Sequence, residues 1–220
     1  MSAAPSLLQR TYDASWGRLF AAAYDRALAA GEEAGMRERR RRLIAAANGR
    51  TLELGAGTGL NLEHYPDAVD ELILTEPFEP MARRLRGRVA ASGRTAQVVE
   101  VPAERLPVED DSLDTVVVTL VLCSVTDVEA ALAEIARVLR PGGRMLFLEH
   151  VRSPESGLAR WQDRLERPWR FVAHGCHPNR DTVASIERSP LELESVERGE
   201  GEKDIPIVRP LALGSALAPG

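Results

Sequence analysis

Three glycines at alternate positions, Gly55, Gly57 and Gly59, stand in the run Thr51 to Leu60. Glycine at that density serves a backbone that turns with positive φ, or one that a ligand approaches closely. The turn opens toward a helix, so its unpaired N–H groups suit a carboxylate or a phosphate. Glu76 follows the apolar run Leu72-Ile73-Leu74, which sets a carboxylate at a second strand's tip, where it can accept both hydroxyls of a ribose. The dinucleotide fingerprint asks for glycine at the first, third and sixth positions. Here Leu60 holds the sixth position and the third glycine falls at Gly59. The pattern supports an adenosine with a free 2′-hydroxyl and argues against NAD. The bland alternative is a tight turn with a surface Glu; the order strand, turn, helix, strand, acid favours the ligand site.

A second set of reactive side chains lies further on. Glu149-His150 ends a strand-like run, and histidine titrates near neutral pH, as a general base should. His150 reads either as that base or as a hydrogen-bonded wall of the pocket. Cys123 and Ser124 lead off the end of another strand, the edge where open α/β sheets bind ligands. Cys123 also reads as a small buried filler, the commoner fate of a free cysteine. His174, Cys176 and His177 crowd into four residues, too tight for the usual zinc ligand spacings. Cys123 and Cys176 are far apart in the chain, and neither a disulfide nor a metal site is expected.

The elements that must hold these residues follow from hydrophobic periodicity. Residues 6–48 read as helical, with Leu7, Leu8, Tyr12, Trp16, Leu19, Phe20 and Tyr24 on one stripe. This segment reads as a helix on the sheet edge, as a cap over the ligand, or as both. Arg37 to Arg42 reads as a solvated basic face, with weak contact to an anionic membrane surface as the alternative. A strand over 50–54 is followed by a short helix from Leu60 to Tyr65, a strand over 71–75, a helix from Glu79 to Ala91 and a strand over 96–101. The run from Asp114 to Val121 is apolar and β-branched, as a strand buried on both faces is. Thr126-x-x-Glu129 matches a capping box and opens a helix to Leu139. Arg144 to Val151 is a strand. Ser153-Pro154 opens a helix with Leu158, Trp161, Leu165 and Trp169 on its buried stripe, which Pro168 is expected to kink or break. Leu191 to Glu197 and Ile205 to Leu213 read as a final antiparallel hairpin at the sheet edge.

The chain has 220 residues, 44% hydrophobic and 28% charged, as one globular domain with a sizeable core has. A net charge of −5 supplies no basic field for nucleic acid. No apolar run reaches the ~18 residues of a membrane span. A cytoplasmic setting is the default for so few cysteines.

Glu53-Leu54-Gly55-Ala56-Gly57-Thr58-Gly59 resembles motif I of the class I S-adenosylmethionine-dependent methyltransferases, and Glu76 resembles their ribose-binding acid. Leu139-Arg140-Pro141-Gly142-Gly143 is similar to their turn before the fifth strand. The resemblance implies a Rossmann-like, seven-stranded, mostly parallel α/β sheet with helices on both faces and its last strand antiparallel. It implies a helical cap over 1–48, a catalytic domain over 49–220, and S-adenosyl-L-methionine as cofactor with S-adenosyl-L-homocysteine as product. Cofactor contacts are implied at Glu53, Gly55, Ala56, Gly57, Gly59, Asn61, Glu76, Pro77, Ala103, Glu104, Thr119 and Leu120. Where the family often has Asp before the adenine, this chain has Pro102, which removes one usual contact. The run Thr119 to Val125, together with Glu149-His150-Val151, Trp161-Gln162 and Gly175-Cys176, is similar to the alkyl-thiol S-methyltransferase branch. That implies a small hydrophobic acceptor, a thiol or else an O-, N- or C-centred metabolite, quinone or lipid. Tyr12, Trp16, Cys123, His174 and Cys176 are the implied acceptor pocket. That branch carries an N-terminal hydrophobic anchor with no counterpart here, so soluble or peripheral behaviour is the expectation.

Overall fold

A computed structural model describes residues 13–220. Tyr12 and the other residues before Asp13 lie outside them. The described chain opens with a helical turn, Asp13–Gly17, and helix α1, Arg18–Gly31. A wider turn, Glu32–Met36, leads into α2, Arg37–Ile44. The expected single helix breaks at Gly35, whose φ of 140° no other residue adopts easily.

The rest alternates strands and helices: β1 Gly49–Leu54, β2 Val69–Thr75, α3 Glu79–Ser92, β3 Gln97–Val99, β4 Leu113–Thr119, α4 Val128–Val138, β5 Leu139–His150, α5 Ser156–Val172, α6 Thr182–Glu187, β6 Glu192–Glu200 and β7 Pro210–Leu217. The seven strands form one sheet in the order β3-β2-β1-β4-β5-β7-β6. Contacts among β1 to β5 are parallel, and β7 runs antiparallel to both of its neighbours. This is the Rossmann-like sheet expected, with β7 inserted between β5 and β6 so that β6 forms the edge.

Side chains alternate across the sheet, and both faces are covered. Leu52, Leu54, Val116, Val118, Met145 and Phe147 face a layer containing Leu132 and Ile135 of α4. Leu72, Leu74, Val117, Leu146 and Leu148 face Leu43 and Ile44 of α2 and Leu85 of α3. Each such side chain contributes about 1.5–3 kcal/mol on burial, which is why β4 reads as a continuous Val run.

Local readings are corrected at several points. The last strand, expected from Ile205 to Leu213, is β7, Pro210–Leu217, preceded by a tight turn over Pro206–Val208. The helix expected from Leu60 to Tyr65 is only a tight turn, Leu62–His64. Asp127, not Thr126, caps α4, its carboxylate accepting from Ala130 N at 2.9 Å. Helix α5 begins at Ser156, and it runs through Pro168 to Val172. The turn beyond Pro168 is held by its neighbours: Trp16 Nε1 donates to the Val172 carbonyl at 3.1 Å, and Gly175 N to that of Arg170 at 2.9 Å. Trp161 is 53% exposed beneath the Arg164 guanidinium, while Leu158, Leu165 and Trp169 of the expected stripe pack, half-buried, against Cys123, Cys176, Ile207 and Val208, beside the buried Ala159 and Gln162.

Candidate active site

The glycine turn leaves β1 at the carboxyl edge of the sheet. Gly55, Gly57 and Gly59 take φ of 60°, 58° and 87°, the left-handed conformation that favours glycine. A Cβ at Gly55 would sit 2.7 Å from Val121 Cγ2, so that glycine is needed for packing. At Gly57 the nearest atoms would be Met81 Sδ and Tyr24 Cε1, at 3.9 and 4.0 Å. At Gly57 alone of the three would a Cβ make only ordinary van der Waals contact.

Glu76 stands at the tip of β2, beside that main chain. Its carboxylate accepts from Gly57 N and, through the other oxygen, from Phe78 N, each at 2.9 Å. Burial pushes its carboxyl up to about 7 against those two donors. Pro77 lies between Glu76 and Phe78 in the same turn.

Glu53 projects from β1 to the buried side of the turn. It accepts from Asn61 Nδ2 at 2.8 Å and from the Tyr65 hydroxyl at 2.7 Å, and burial raises its carboxyl to about 7. Thr119, the last residue of β4, accepts from Asn61 Nδ2 at 2.8 Å and from Arg40 Nη1 at 3.1 Å. Arg40 also donates to Asn61 Oδ1 and pairs with Glu32, both at 3.0 Å. Arg40 is 3% exposed. It came from a run read as solvated, and that reading is corrected for this one arginine. The spacing Met36, Arg40, Leu43, Ile44 places it on the inward face of α2, a signal present in the sequence.

Tyr24 completes the wall. Tyr24, Arg40, Glu53, Gly55 to Thr58, Leu60, Asn61 and Thr119 enclose a cavity of about 20 Å³, with room for water and none for a nucleoside. The Tyr24 phenol is pushed up to about 12 by burial, offset in part by Arg40. Helix α1 is tied over the turn by Asp25, which accepts from Thr58 Oγ1 at 2.5 Å and pairs with Arg88 at 2.8 Å. Next to it His174 stacks between Phe20 and Phe78, with centroids 5.4 and 4.5 Å away. Trp16 is anchored to the end of α5 through Val172.

Two residues of the expected adenine loop are otherwise engaged. Ala103 is packed into the core beneath α4, and Glu104 Oε1 accepts from Asp127 N at 3.3 Å. Leu120 takes φ of 60°, a strained value for a branched side chain, as the chain turns out of β4.

That turn brings the second reactive set together. The Glu149 carboxylate, fully buried, accepts from the backbone of Val121 and Leu122 at 2.8 and 2.9 Å and of Cys123 at 3.1 Å. His177 N donates to the Cys123 carbonyl at 2.8 Å, docking the loop after α5 onto the loop after β4. As a result Cys123 Sγ and Cys176 Sγ lie 3.8 Å apart, and His150 Nδ1 is 3.8 Å from the first and 3.7 Å from the second. Two cysteines 53 residues apart in the chain thus meet across the fold, within the pocket expected to hold both, although ligand spacing along the chain carried no sign of a three-residue cluster. The thiol–thiol contact pushes Cys123 up, with burial adding to it, and pulls Cys176 down against burial. Burial pulls His150 down, but the Cys123 thiol, Glu149 and Asp204 outweigh it and the imidazole is raised overall. Its Nδ1 faces the two sulfurs. Glu149 was missed as a site residue; its place beside His150 at a strand tip was the available signal.

Known proteins resemble this chain at three levels. Residues 52–147 match the family model described as a methyltransferase domain. Rat thiol S-methyltransferase TMT1B is 38% identical over 151 residues, 66% of this chain and 61% of that protein. Human thiol S-methyltransferase TMT1A is 34% identical over 171 residues, 76% of this chain and 69% of its own length. Among solved structures, a SAM-dependent methyltransferase from Thermotoga maritima superposes with a TM-score of 0.68 at 20% identity, over 92% of this chain and 98% of that one.

Proposed function

The chain belongs to the methyltransferase-domain family that includes the thiol S-methyltransferases, and from that premise we propose that it methylates a small, rather apolar thiol with S-adenosylmethionine. The observation that carries the reading is the pairing of Gly57 N with the Glu76 carboxylate, at a glycine where a Cβ would meet nothing closer than 3.9 Å. Glu76 is the acceptor for both ribose hydroxyls. The backbone around Gly57 lets an amino-acid tail lie against it without a side chain between. Arg40 supplies the positive charge that the tail's carboxylate needs, from a position already fixed by Glu32, Asn61 and Thr119.

The cofactor brings its own activation, because a sulfonium is a good leaving group for methyl transfer. The protein's part is alignment and exclusion of water. An unperturbed thiol ionises near pH 8.5, so a thiol acceptor needs little help from a base. His150, Cys123 and Cys176 form the acceptor end, with Trp16 and His174 in the cover. Residues 13–48 act as a cap, with α1 displaced from the glycine turn when the nucleoside enters, since the cavity beneath Tyr24 does not hold one. No helix among the described residues is long and apolar enough to cross a membrane, and we place the enzyme in the cytoplasm.

The test is transfer of a labelled methyl group to a panel of aliphatic thiols and matched phenols, amines and quinols. Labelled methyl thioether, with little label on the others, is the expected outcome. Label only on oxygen, nitrogen or carbon overturns the choice of thiol.

A further inference from the structure

The cluster of Cys123, His150 and Cys176 has a shape that hydrogen bonding alone does not require. Its three donor atoms form a nearly equilateral triangle with edges of 3.8, 3.8 and 3.7 Å. Zinc binds thiolate at about 2.3 Å and imidazole at about 2.0–2.1 Å in tetrahedral geometry. Those bond lengths put two thiolates ~3.8 Å apart and a thiolate and imidazole nitrogen ~3.6 Å apart. The observed triangle is one face of that tetrahedron.

The supports of each corner are rigid. Glu149 fixes the backbone of Cys123 through three amide bonds. Arg180 Nη1 clamps the same loop through the Leu122 and Val125 carbonyls, at 2.5 and 2.8 Å. His150 closes β5, and Cys176 sits in the loop that His177 N pins to Cys123. Outer partners of this kind orient ligands in metal sites. Among the described residues, no fourth His, Cys, Asp or Glu joins the three. Three protein ligands with one position left over is the arrangement of catalytic zinc, where water or substrate takes the fourth place.

We propose that Cys123, Cys176 and His150 hold a Zn²⁺ ion, and that its fourth position takes the acceptor thiol. The second clause rests on the proposed thiol methylation; the first does not. A thiol entering that position displaces water and releases its S–H proton to solvent, because a zinc-bound thiol is deprotonated outright. The thiolate's lone pair then forms the new S–CH₃ bond, while the methyl–sulfonium bond breaks and its electron pair stays on the sulfur of S-adenosylhomocysteine. The product is a neutral thioether, a poorer ligand, which leaves. Thiol and sulfonium cation become thioether, S-adenosylhomocysteine and one proton. Tyr24 lines the small cavity at the glycine turn.

The experiment is a Co²⁺ titration of reduced, metal-free, full-length protein without an affinity tag, followed by visible and near-ultraviolet absorption. One equivalent should bind with thiolate-to-cobalt charge transfer and the intense d–d bands of a four-coordinate site. Protein purified without chelator should carry about one zinc by mass spectrometry. Cys176→Ser should roughly halve the charge-transfer intensity, since one of two thiolates is gone, and His150→Gln should weaken uptake. A pale, six-coordinate spectrum from the wild type overturns the site, as does a Cys123–Cys176 disulfide forming in place of metal uptake. Added alkyl thiol should shift the d–d bands; bands that stay unchanged overturn the acceptor's place on the metal. Calorimetry with S-adenosylhomocysteine on the metal-free protein runs in parallel: binding is expected, and its failure counts against the methyltransferase reading and not against the zinc.

Discussion

Arg40 Nη1 stands 3.0 Å from Asn61 Oδ1, and through that contact a cation of α2 enters the buried network behind the glycine turn. Its other partners are Glu32 on the preceding turn and Thr119 at the end of β4, so one guanidinium joins the cap to the end of β4 and to the segment that follows the glycine turn. Arg40→Met leaves the Glu32 carboxylate buried without its partner. Loss of about 3–5 kcal/mol is expected, on the scale of a broken buried pair. Urea unfolding measures it. Glu32→Gln in the same chain should recover part of the loss, because it removes the stranded charge.

Glu53 makes stability depend on pH. Its carboxyl is raised to about 7 by burial, above its ordinary 4.5, so the folded state holds a proton that the unfolded chain has already released. Stability from this group is fully present below about pH 4.5 and is lost as pH rises through about 7. The size is roughly 3 kcal/mol. Glu53→Gln should flatten the fall in unfolding free energy across that window, as followed by urea melts at stepped pH. An unchanged slope would remove Glu53 from the account.

The glycines separate packing from binding. Gly55→Ala drives a methyl into Val121 and should lower the melting temperature sharply. Gly57→Ala meets nothing closer than 3.9 Å and costs only the left-handed backbone, about 1–2 kcal/mol. It should fold, yet bind S-adenosylhomocysteine much more weakly. A Gly57→Ala protein of normal affinity would move the amino-acid tail off this backbone.

Cap movement is open to hydrogen exchange. With Tyr24 closed over a cavity of about 20 Å³ and held there by its ring contact with Phe20, which stacks in turn on His174, a nucleoside can enter only if α1 shifts. Amides of 18–31 should change their exchange when S-adenosylhomocysteine is added, while those of β4 and β5 stay protected. No change in 18–31 would mean that the ligand enters elsewhere.

Much of the fold was legible because its signals are local. The Val run of β4, the glycines after β1 and the acid after β2 each announce themselves within a few residues, and buried parallel strands admit little else. The start of α5 and Trp161 were misjudged: Leu158, Leu165 and Trp169 pack inward as their spacing implies, but only tertiary packing shows that Trp161 is left outside and that Gln162 is drawn in. Arg40 was hidden in a basic run that shows charge alone, and only its spacing from Met36, Leu43 and Ile44 marked it as the side chain that turns inward. The Cys123–Cys176–His150 triangle is a property of topology: three distant loops and strand ends meet only when β4, β5 and the α5 loop are placed in space. Sequence spacing has no means to express that.

Glu76 bears the central claim, and calorimetric titration with S-adenosylhomocysteine tests it most directly. The wild type should bind, and Glu76→Ala should lose about 1–3 kcal/mol, the worth of hydrogen bonds to a charged group. Because burial raises Glu76 to about 7 and the ribose needs the ionised form, wild-type affinity should increase as pH rises through that value, with release of a proton. No heat from the wild type, or equal affinity in the two proteins, would contradict the claim that this carboxylate holds the nucleoside.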